Sequence, residues 1–189
     1  GVAITLVSWR GVRAVVQQRD VARFVRLKER LIDSIADRFR TVEEAIIAGR
    51  ALVDAVPEPS PQRWRNFVTA VQPFLDRGVL GIGLIVRLPR EELSALEARM
   101  RQAGLPNFTV ERDGTGPDAY VVTHLEPFVP NAPALGKDLT SGSTRREAAD
   151  RAMRTGKPIL SRRIRLIHGD GYVPGCLLFV PYYAPGTQP

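Results

Sequence analysis

The chain has 189 residues and a mass of 20.9 kDa, which is room for one compact domain with an additional element, but too little for two full domains. Its composition, 44% hydrophobic and 25% charged, excludes a disordered or collagen-like protein. The net charge of +7 allows anionic partners, yet the basic residues are spread along the sequence without a Lys/Arg run, so nucleic acid is not an expected partner.

The first segment is predicted to be one long helix. Between about Val2 and Val56 no proline occurs, and apolar residues recur at helical spacing. They are Val21, Phe24, Leu31, Ile35, Phe39, Val42 and Ile46. Because a lone helix cannot bury such a stripe, we expect it to dock on the following domain or to pair with a second copy. Residues 1–56 are therefore predicted to form a stalk and homodimerisation helix.

The beginning of this helix has two interpretations. Gly1 to Trp9 is apolar but shorter than the ~20 residues that span a bilayer. With Arg10 and Arg13 following, it is either the outer end of a transmembrane helix, with Trp9 at headgroup level, or a first helical turn.

Prolines mark the clearest boundary in the sequence. Pro57, Pro59 and Pro61 remove backbone donors and end the helix, so residues 57–189 are predicted to form a separate domain. Ser60 is expected to cap a second helix with Pro61 at its first position.

The remaining segments predict an α+β domain. Helical spacing favours helices at Pro89–Arg101 and at Arg145–Arg154, the latter capped by Thr144. Short apolar runs predict five strands, at Val79–Leu88, Phe108–Arg112, Ala119–Glu126, Ile159–Ile167 and Gly175–Tyr183. We expect these strands to form a PAS-like antiparallel five-stranded sheet with flanking helices.

Several short motifs in this domain resemble those of a known family. They are Gly78-Val79-x-Gly81-Ile82-Gly83 with Arg87, Gly136-x-Asp138-Leu139, Arg145-Arg146, Ala152, Thr155-Gly156, Ser161, and Phe179-Val180-Pro181-Tyr182-Tyr183. Together they resemble a CHASE domain, a sensory module of bacterial and plant signalling receptors. The resemblance implies a periplasmic or other extracytoplasmic domain of an inner-membrane protein. It also implies flanking transmembrane segments and a histidine kinase or cyclase output outside this chain.

The resemblance further implies where a small-molecule ligand binds, and it argues against one ligand class. Plant members sense cytokinins through a carboxylate at the place where this sequence has Arg145, and bulky Phe179 replaces a small hydroxyl residue. Cytokinin is therefore not expected. The family pocket borders Ser161 and Ile167, and strand alternation places Arg163 on the same face.

These residues predict a small anionic ligand held by Arg145 and Arg163, because guanidinium groups pair well with carboxylates and phosphates. Alternatively, both arginines are simply solvated surface residues. Tyr120 and Phe179 are either walls of the pocket or plain core residues.

Other chemistries have weaker support in the sequence. His124 is either a pH sensor or a structural histidine, and neither it nor His168 has the neighbours of a metal site. Ser141, His124 and Asp138 supply the residue types of a hydrolytic triad, but no Gly-x-Ser-x-Gly turn frames the serine. We therefore expect no catalytic site, metal or cofactor. A ligand-free PAS-like scaffold is the alternative function, and a cavity of a few hundred Å³ would favour sensing instead.

Overall fold

The structure is a computed structural model that describes residues 2–75 and 78–183, with side chains described from residue 19 onward. The helices are α1 (Val2–Ala55), α2 (Pro61–Val71), α3 (Leu93–Gln102), α4 (Phe128–Asn131) and α5 (Ser143–Thr155). The strands are β1 (Ile82–Pro89), β2 (Asp118–Glu126), β3 (Ile159–Leu160), β4 (Ile164–His168), β5 (Gly171–Gly175) and β6 (Leu178–Phe179). The contacts divide the chain into two units, Gly1–Arg40 and Thr41–Pro189.

The first unit is the N-terminal part of α1, and the predicted long helix is confirmed. Its apolar stripe is exposed, with Phe24 at 68% and Leu31 at 63% of their accessible surface. The stretch from Gly1 to Trp9 has no described side chains, so both of its interpretations stay predictions. Within the described ranges, every helix falls short of the length or the hydropathy that a bilayer-spanning segment requires.

In the second unit, the last turns of α1 pack on α2. Ala45, Gly49 and Val53 are buried at every fourth position of α1, as expected for one helix face. A side chain at Gly49 would lie 3.1 Å from the ring of Phe67, so this glycine lets the two helices approach closely. Trp64 then ties α2 to the sheet, because its Nε1 donates to the Ile82 carbonyl at 3.2 Å.

The proline break and its cap are confirmed. α1 ends at Ala55, and α2 begins at Pro61 after Ser60, whose hydroxyl accepts from the Arg63 amide at 3.3 Å. Such a cap satisfies one of the unpaired N–H groups at a helix start.

Strand β2 lies at the centre of the domain and both of its faces are covered. It pairs with β1 antiparallel, with a register shift between Leu84 and Ile85. Ala119 and Val121 face α3, whereas Tyr120 and Val122 face α5. Because side chains alternate between the two faces, α3 and α5 form layers on opposite sides of this strand pair.

The predicted α+β class is confirmed, but the sheet is smaller than expected. Within the described residues the strands form antiparallel pairs, β1–β2, β3–β6 and β4–β5, and not one five-stranded sheet. Segment 136–138 continues the central pair irregularly, since the Val122 amide donates to the Lys137 carbonyl at 3.1 Å and the Gly136 amide donates to the Val122 carbonyl at 2.9 Å.

The predicted strand Phe108–Arg112 is wrong. Phe108 and Val110 are buried as a strand face would be, but a side chain replaces the ladder, because the Glu97 carboxylate accepts from the Val110 amide at 2.8 Å. A single backbone bond, from the Glu111 amide to the Gly136 carbonyl, links this segment to 136–138 among the described residues.

The last third of the domain also departs from the prediction. Helix α5 starts at Ser143 after Gly142, without the expected cap from Thr144, and ends at left-handed Gly156. The predicted strand Ile159–Ile167 is broken between Leu160 and Ile164, and the last strand is confined to Leu178–Phe179. A tight turn at Gly169 and Asp170 joins β4 to β5 as an antiparallel hairpin, and β5 is not among the predicted strands.

Candidate functional site

The aromatic residues predicted to line a pocket lie together. Tyr120 and Phe179 belong to one apolar cluster with Val122, Leu139 and Ala149, between β2 and α5. The Tyr120 hydroxyl donates to Asp150 at 2.7 Å. Burial and this hydrogen bond raise the pKa of Tyr120 to about 12, so the phenol stays neutral at physiological pH.

Ser161 is buried and explains why the predicted strand breaks. Its amide donates to the Leu177 carbonyl at 2.8 Å, and its hydroxyl accepts from the Leu177 amide at 2.9 Å. The same hydroxyl donates to the Arg162 carbonyl at 2.8 Å. The side chain thus takes over pairing that a regular strand would make, and it fixes the end of β3 two residues before Phe179 on the opposing segment.

The predicted arginines lie beside these elements. Arg145, in the first turn of α5, donates through Nη2 to the Arg165 carbonyl at 2.5 Å and so links the helix to β4. Arg163 is exposed in the connection between β3 and β4, and Ile167 is half-buried opposite Tyr172. The structure therefore joins Tyr120 to Phe179 and Arg145 to β4, whereas Arg163 points to solvent.

Positive charge is concentrated around these elements, although the sequence contains no long run of consecutive basic residues there. Residues 141–168 contain eight Lys and Arg but two acidic residues, giving +6 of the chain's net +7. Both acids are already paired, Glu147 with Arg162 and Asp150 with Arg146, each at 3.6 Å. In the part of the chain that the structure describes, five exposed cations here form no ion pair; they are Arg151, Arg154, Lys157, Arg163 and Arg165.

A buried polar cluster holds the segment that leads into α5, and sequence reasoning did not identify it. Asp138 has a fully buried side chain and accepts from Arg90 Nη2 at 2.6 Å, from the Tyr120 amide at 3.1 Å and from the Thr140 amide at 2.9 Å. Thr140 also donates through its hydroxyl at 2.8 Å. Burial alone would raise the pKa of Asp138, but these hydrogen bonds outweigh it and lower the pKa.

Backbone at Gly114 covers the polar cluster of Asp138, Thr140 and Arg90. Gly114 lies directly over it, where a side chain would collide with Asp138, Thr140 and Arg90. Arg90 also donates to the Gly116 carbonyl at 2.8 Å. Gly114 and the Gly-x-Asp motif that contains Asp138 are both visible in the sequence, but nothing there shows that they meet in the fold.

His124 lies at the other end of β2. Its Nδ1 is 3.0 Å from the Thr123 hydroxyl, and its ring is 6.0 Å from that of Trp64. Nε2 is buried without a hydrogen-bond partner of good geometry among the described residues. Burial lowers the pKa of His124 despite the nearby Pro59 carbonyl and Glu126 carboxylate, so the ring is neutral at pH 7.

The side chains of the hypothetical triad are used elsewhere. Ser141 donates to the backbone carbonyl of Asp138 at 2.9 Å, and the Asp138 carboxylate is occupied by Arg90 and Thr140. His124 contacts Thr123 instead of either residue. Across the described residues, no group of His, Cys, Asp and Glu has the arrangement of a metal site.

The comparison with family profiles decides what kind of domain this is. The profile described as CHASE domain matches residues 57–189, from the proline break to the end of the chain. The chain belongs to the CHASE domain family. CHASE domains are extracytoplasmic, non-catalytic sensory domains of signalling receptors, which agrees with the expected class of function. A search of curated proteins found no match.

Proposed function

We propose that this CHASE domain binds a small anionic molecule beside α5 and β4, and that α1 carries the event to an output domain outside this chain. The observation that carries the proposal is the concentration of positive charge in residues 141–168, next to the Tyr120–Phe179 cluster. A surface with so many unpaired cations attracts anions and raises their local concentration.

Arg145 is the residue best placed to hold the ligand. One of its nitrogens donates to the Arg165 carbonyl, and a guanidinium has five N–H donors, so others are left for a carboxylate or phosphate. It lies in the first turn of α5, where no side chain caps the helix and the helix dipole favours negative charge. Ser161, Arg163 and Ile167 would complete the site, with Tyr120 and Phe179 as its apolar wall.

The test is a binding screen of the whole chain with citrate, succinate, benzoate and inorganic phosphate, followed by calorimetry of any anion that raises the melting temperature. We expect Arg145→Ala to weaken binding by about tenfold or more, because hydrogen bonds to charged groups contribute ~1.5–3 kcal/mol. Arg63→Ala, which removes an exposed arginine of α2 outside residues 141–168, is the matched control and retains binding. Unchanged affinity of Arg145→Ala for an identified anion contradicts this site.

We further propose that the exposed stripe of α1 pairs with a second copy of the chain. Phe24, Leu31 and Ile35 each expose more than half of their surface, which is unfavourable for a helix that stands alone in water. A ligand that binds one arrangement of the pair more tightly would shift the population toward it.

Analytical ultracentrifugation tests the pairing. The double variant Phe24→Glu/Leu31→Glu is expected to move the equilibrium to monomer, whereas Arg30→Glu, an exposed control position between them, leaves the dimer intact. A wild-type chain that stays monomeric at the highest soluble concentration would contradict pairing through α1.

The second candidate function is a scaffold that pairs without a ligand. It is favoured by the packing around Tyr120, whose hydroxyl is already engaged by Asp150. Native mass spectrometry of freshly purified protein separates the two functions. A bound small molecule favours sensing, whereas a ligand-free dimer that binds none of the tested anions favours the scaffold.

A further inference from the structure

A cavity of about 240 Å³ lies between α2 and the outer end of the β1–β2 pair. It is at the end of β2 opposite Tyr120, so it is separate from the anion site proposed above. Its lining residues are Val68, Gln72, Leu75, Val79, Gly81, Ile82, Glu126 and Pro127. An apolar protein cavity of ~150 Å³ already accepts benzene, so the space suits a molecule with one ring and a small substituent.

The walls define the chemistry of the occupant. Among the described lining residues most are aliphatic, and the polar side chains come from Gln72 and Glu126. The Glu126 side chain is 10% exposed and accepts from Arg65 Nε at 3.0 Å, so its charge is balanced inside the protein. A carboxylate offers about four lone-pair sites, which leaves capacity for a further donor. The site therefore suits a neutral molecule with one hydroxyl or amide N–H, and not an anion.

The position of the cavity connects it to the long helix. Val68 and Ile82 belong to the buried cluster that also contains Val53 of α1 and Trp64 of α2. Leu75 and Val79, two more lining residues, pack against the same cluster, and so does Leu52 of α1. An occupant would therefore touch the side chains that hold the last turns of α1 in place. Packed interiors transmit such changes, because they contain little free space.

We propose that this cavity binds a small, neutral, one-ring molecule whose hydroxyl or amide group donates to Glu126, and that its occupancy stabilises the end of α1 against α2. The inference goes beyond the proposed anion sensing, because it concerns another place in the domain and another ligand chemistry. It gives the domain a second input that acts directly on the helix.

The probe is benzyl alcohol, and toluene serves as the matched molecule without a donor. Nuclear magnetic resonance titration of the whole chain is expected to shift the amide signals of the lining residues. Benzyl alcohol should bind about tenfold more tightly than toluene, the factor that one hydrogen bond to a charged acceptor contributes. Equal binding of the two molecules, or shifts that lie outside the lining, would overturn the proposal.

Variants test the wall and the acceptor separately. Val79→Phe fills the cavity from a half-buried position and is expected to abolish binding of both probes. Glu126→Gln keeps the shape and should reduce the preference for benzyl alcohol over toluene to near one. Arg145→Ala leaves both affinities unchanged, which separates this site from the anion site. Full binding by a folded Val79→Phe protein contradicts the location. If that variant does not fold, the amide shifts of the wild-type chain decide.

Amide hydrogen exchange tests the connection to α1. With saturating benzyl alcohol, residues 45–55 should exchange about threefold more slowly, because ligand binding lowers the population of locally open states. Residues 93–102 of α3, which pack in a different cluster, are the internal control and keep their rates. Unchanged exchange in α1 at full occupancy overturns the coupling.

Discussion

The buried pair of Asp138 and Arg90 allows a sharp test of what stabilises the segment that leads into α5. Asp138 has a side chain with 0% exposure, and Arg90 keeps 23%. In Asp138→Asn the carboxamide is nearly isosteric with the carboxylate, but an N–H₂ group must now replace one of the two oxygen atoms. That group meets either the guanidinium of Arg90 or the backbone amides of Tyr120 and Thr140, all of which are donors.

The expected cost follows from burial. Removing one partner of a fully buried ion pair costs ~3–5 kcal/mol, and the exposed part of Arg90 allows some hydration of the charge that remains. We therefore expect Asp138→Asn to lower the free energy of unfolding by about 3 kcal/mol. For a chain of this size, that corresponds to a fall in melting temperature of roughly 9 °C.

Asp118→Asn is the matched control, because it breaks the Arg87–Asp118 pair, whose side chains are 50% and 29% exposed. Exposed pairs contribute ~0.2–1 kcal/mol, so this variant should be nearly as stable as the wild type. Urea unfolding followed by circular dichroism measures both. A loss below 1 kcal/mol in Asp138→Asn, or equal losses in the two variants, would refute the reasoning.

Acid provides a second measurement on the same pair. Since the folded pKa of Asp138 lies below its ordinary value of 3.8, the carboxylate stabilises the fold above that pH. The contribution is lost as the pH falls through the folded pKa. The stability difference between wild type and Asp138→Asn is therefore expected to shrink toward zero in strong acid.

Three further predictions concern single residues. Gly114→Ala should cost about 2 kcal/mol or more, since its methyl group would enter the Asp138 cluster, whereas Gly171→Ala, with open space around it, should be neutral in the same urea assay. Tyr120→Phe should lower the free energy of unfolding by about 1 kcal/mol. In the wild type, this free energy should fall as the pH rises from 10 to about 12, because the folded state keeps the phenol protonated. Alkaline unfolding of the variant should not show this fall. Because the folded pKa of His124 is below 6.5, the stability of the wild type should fall as the pH drops below 6.5. Urea unfolding at pH 5 and 7.5 measures this dependence. His124→Leu should remove it, and the control variant His168→Gln should keep it.

The sequence predicts those parts of the fold that depend on local chemistry. The long helix, the proline break, the Ser60 cap and the central strand follow from spacing, ring geometry and side-chain alternation within a few residues. Gly156 likewise ends α5 because only a residue tolerant of left-handed backbone fits there.

The errors occur where a side chain replaces a backbone partner that lies far away in the sequence. The Glu97 carboxylate accepts a hydrogen bond from the Val110 amide, and the Ser161 hydroxyl accepts one from the Leu177 amide. The alternating apolar patterns at both places therefore do not become regular strands. Local patterns carry no information about such distant partners. For the same reason the motif containing Asp138 was visible as a family signature, but its bond to Arg90, 48 residues earlier, was not.

The candidate site shows the same division. The aromatic character of Tyr120 and Phe179 predicts either pocket walls or core residues, and the structure places the two in one apolar cluster. The concentration of charge in residues 141–168 is present in the sequence, but a search for consecutive basic residues does not find it. A count of net charge over a window that spans one helix and the next hairpin would find this concentration.

The coverage of β2 on both faces limits how this domain can change in length. Tyr120 and Val122 face α5, whereas the register shift against β1 places His124, two residues later, on the opposite face of the strand, against Trp64 of α2. Inserting or deleting one residue between them would turn half of the strand over and expose one of these contacts. Insertions and deletions among relatives should therefore collect in exposed turns, such as the one at Gly169 and Asp170, while β2 keeps its length.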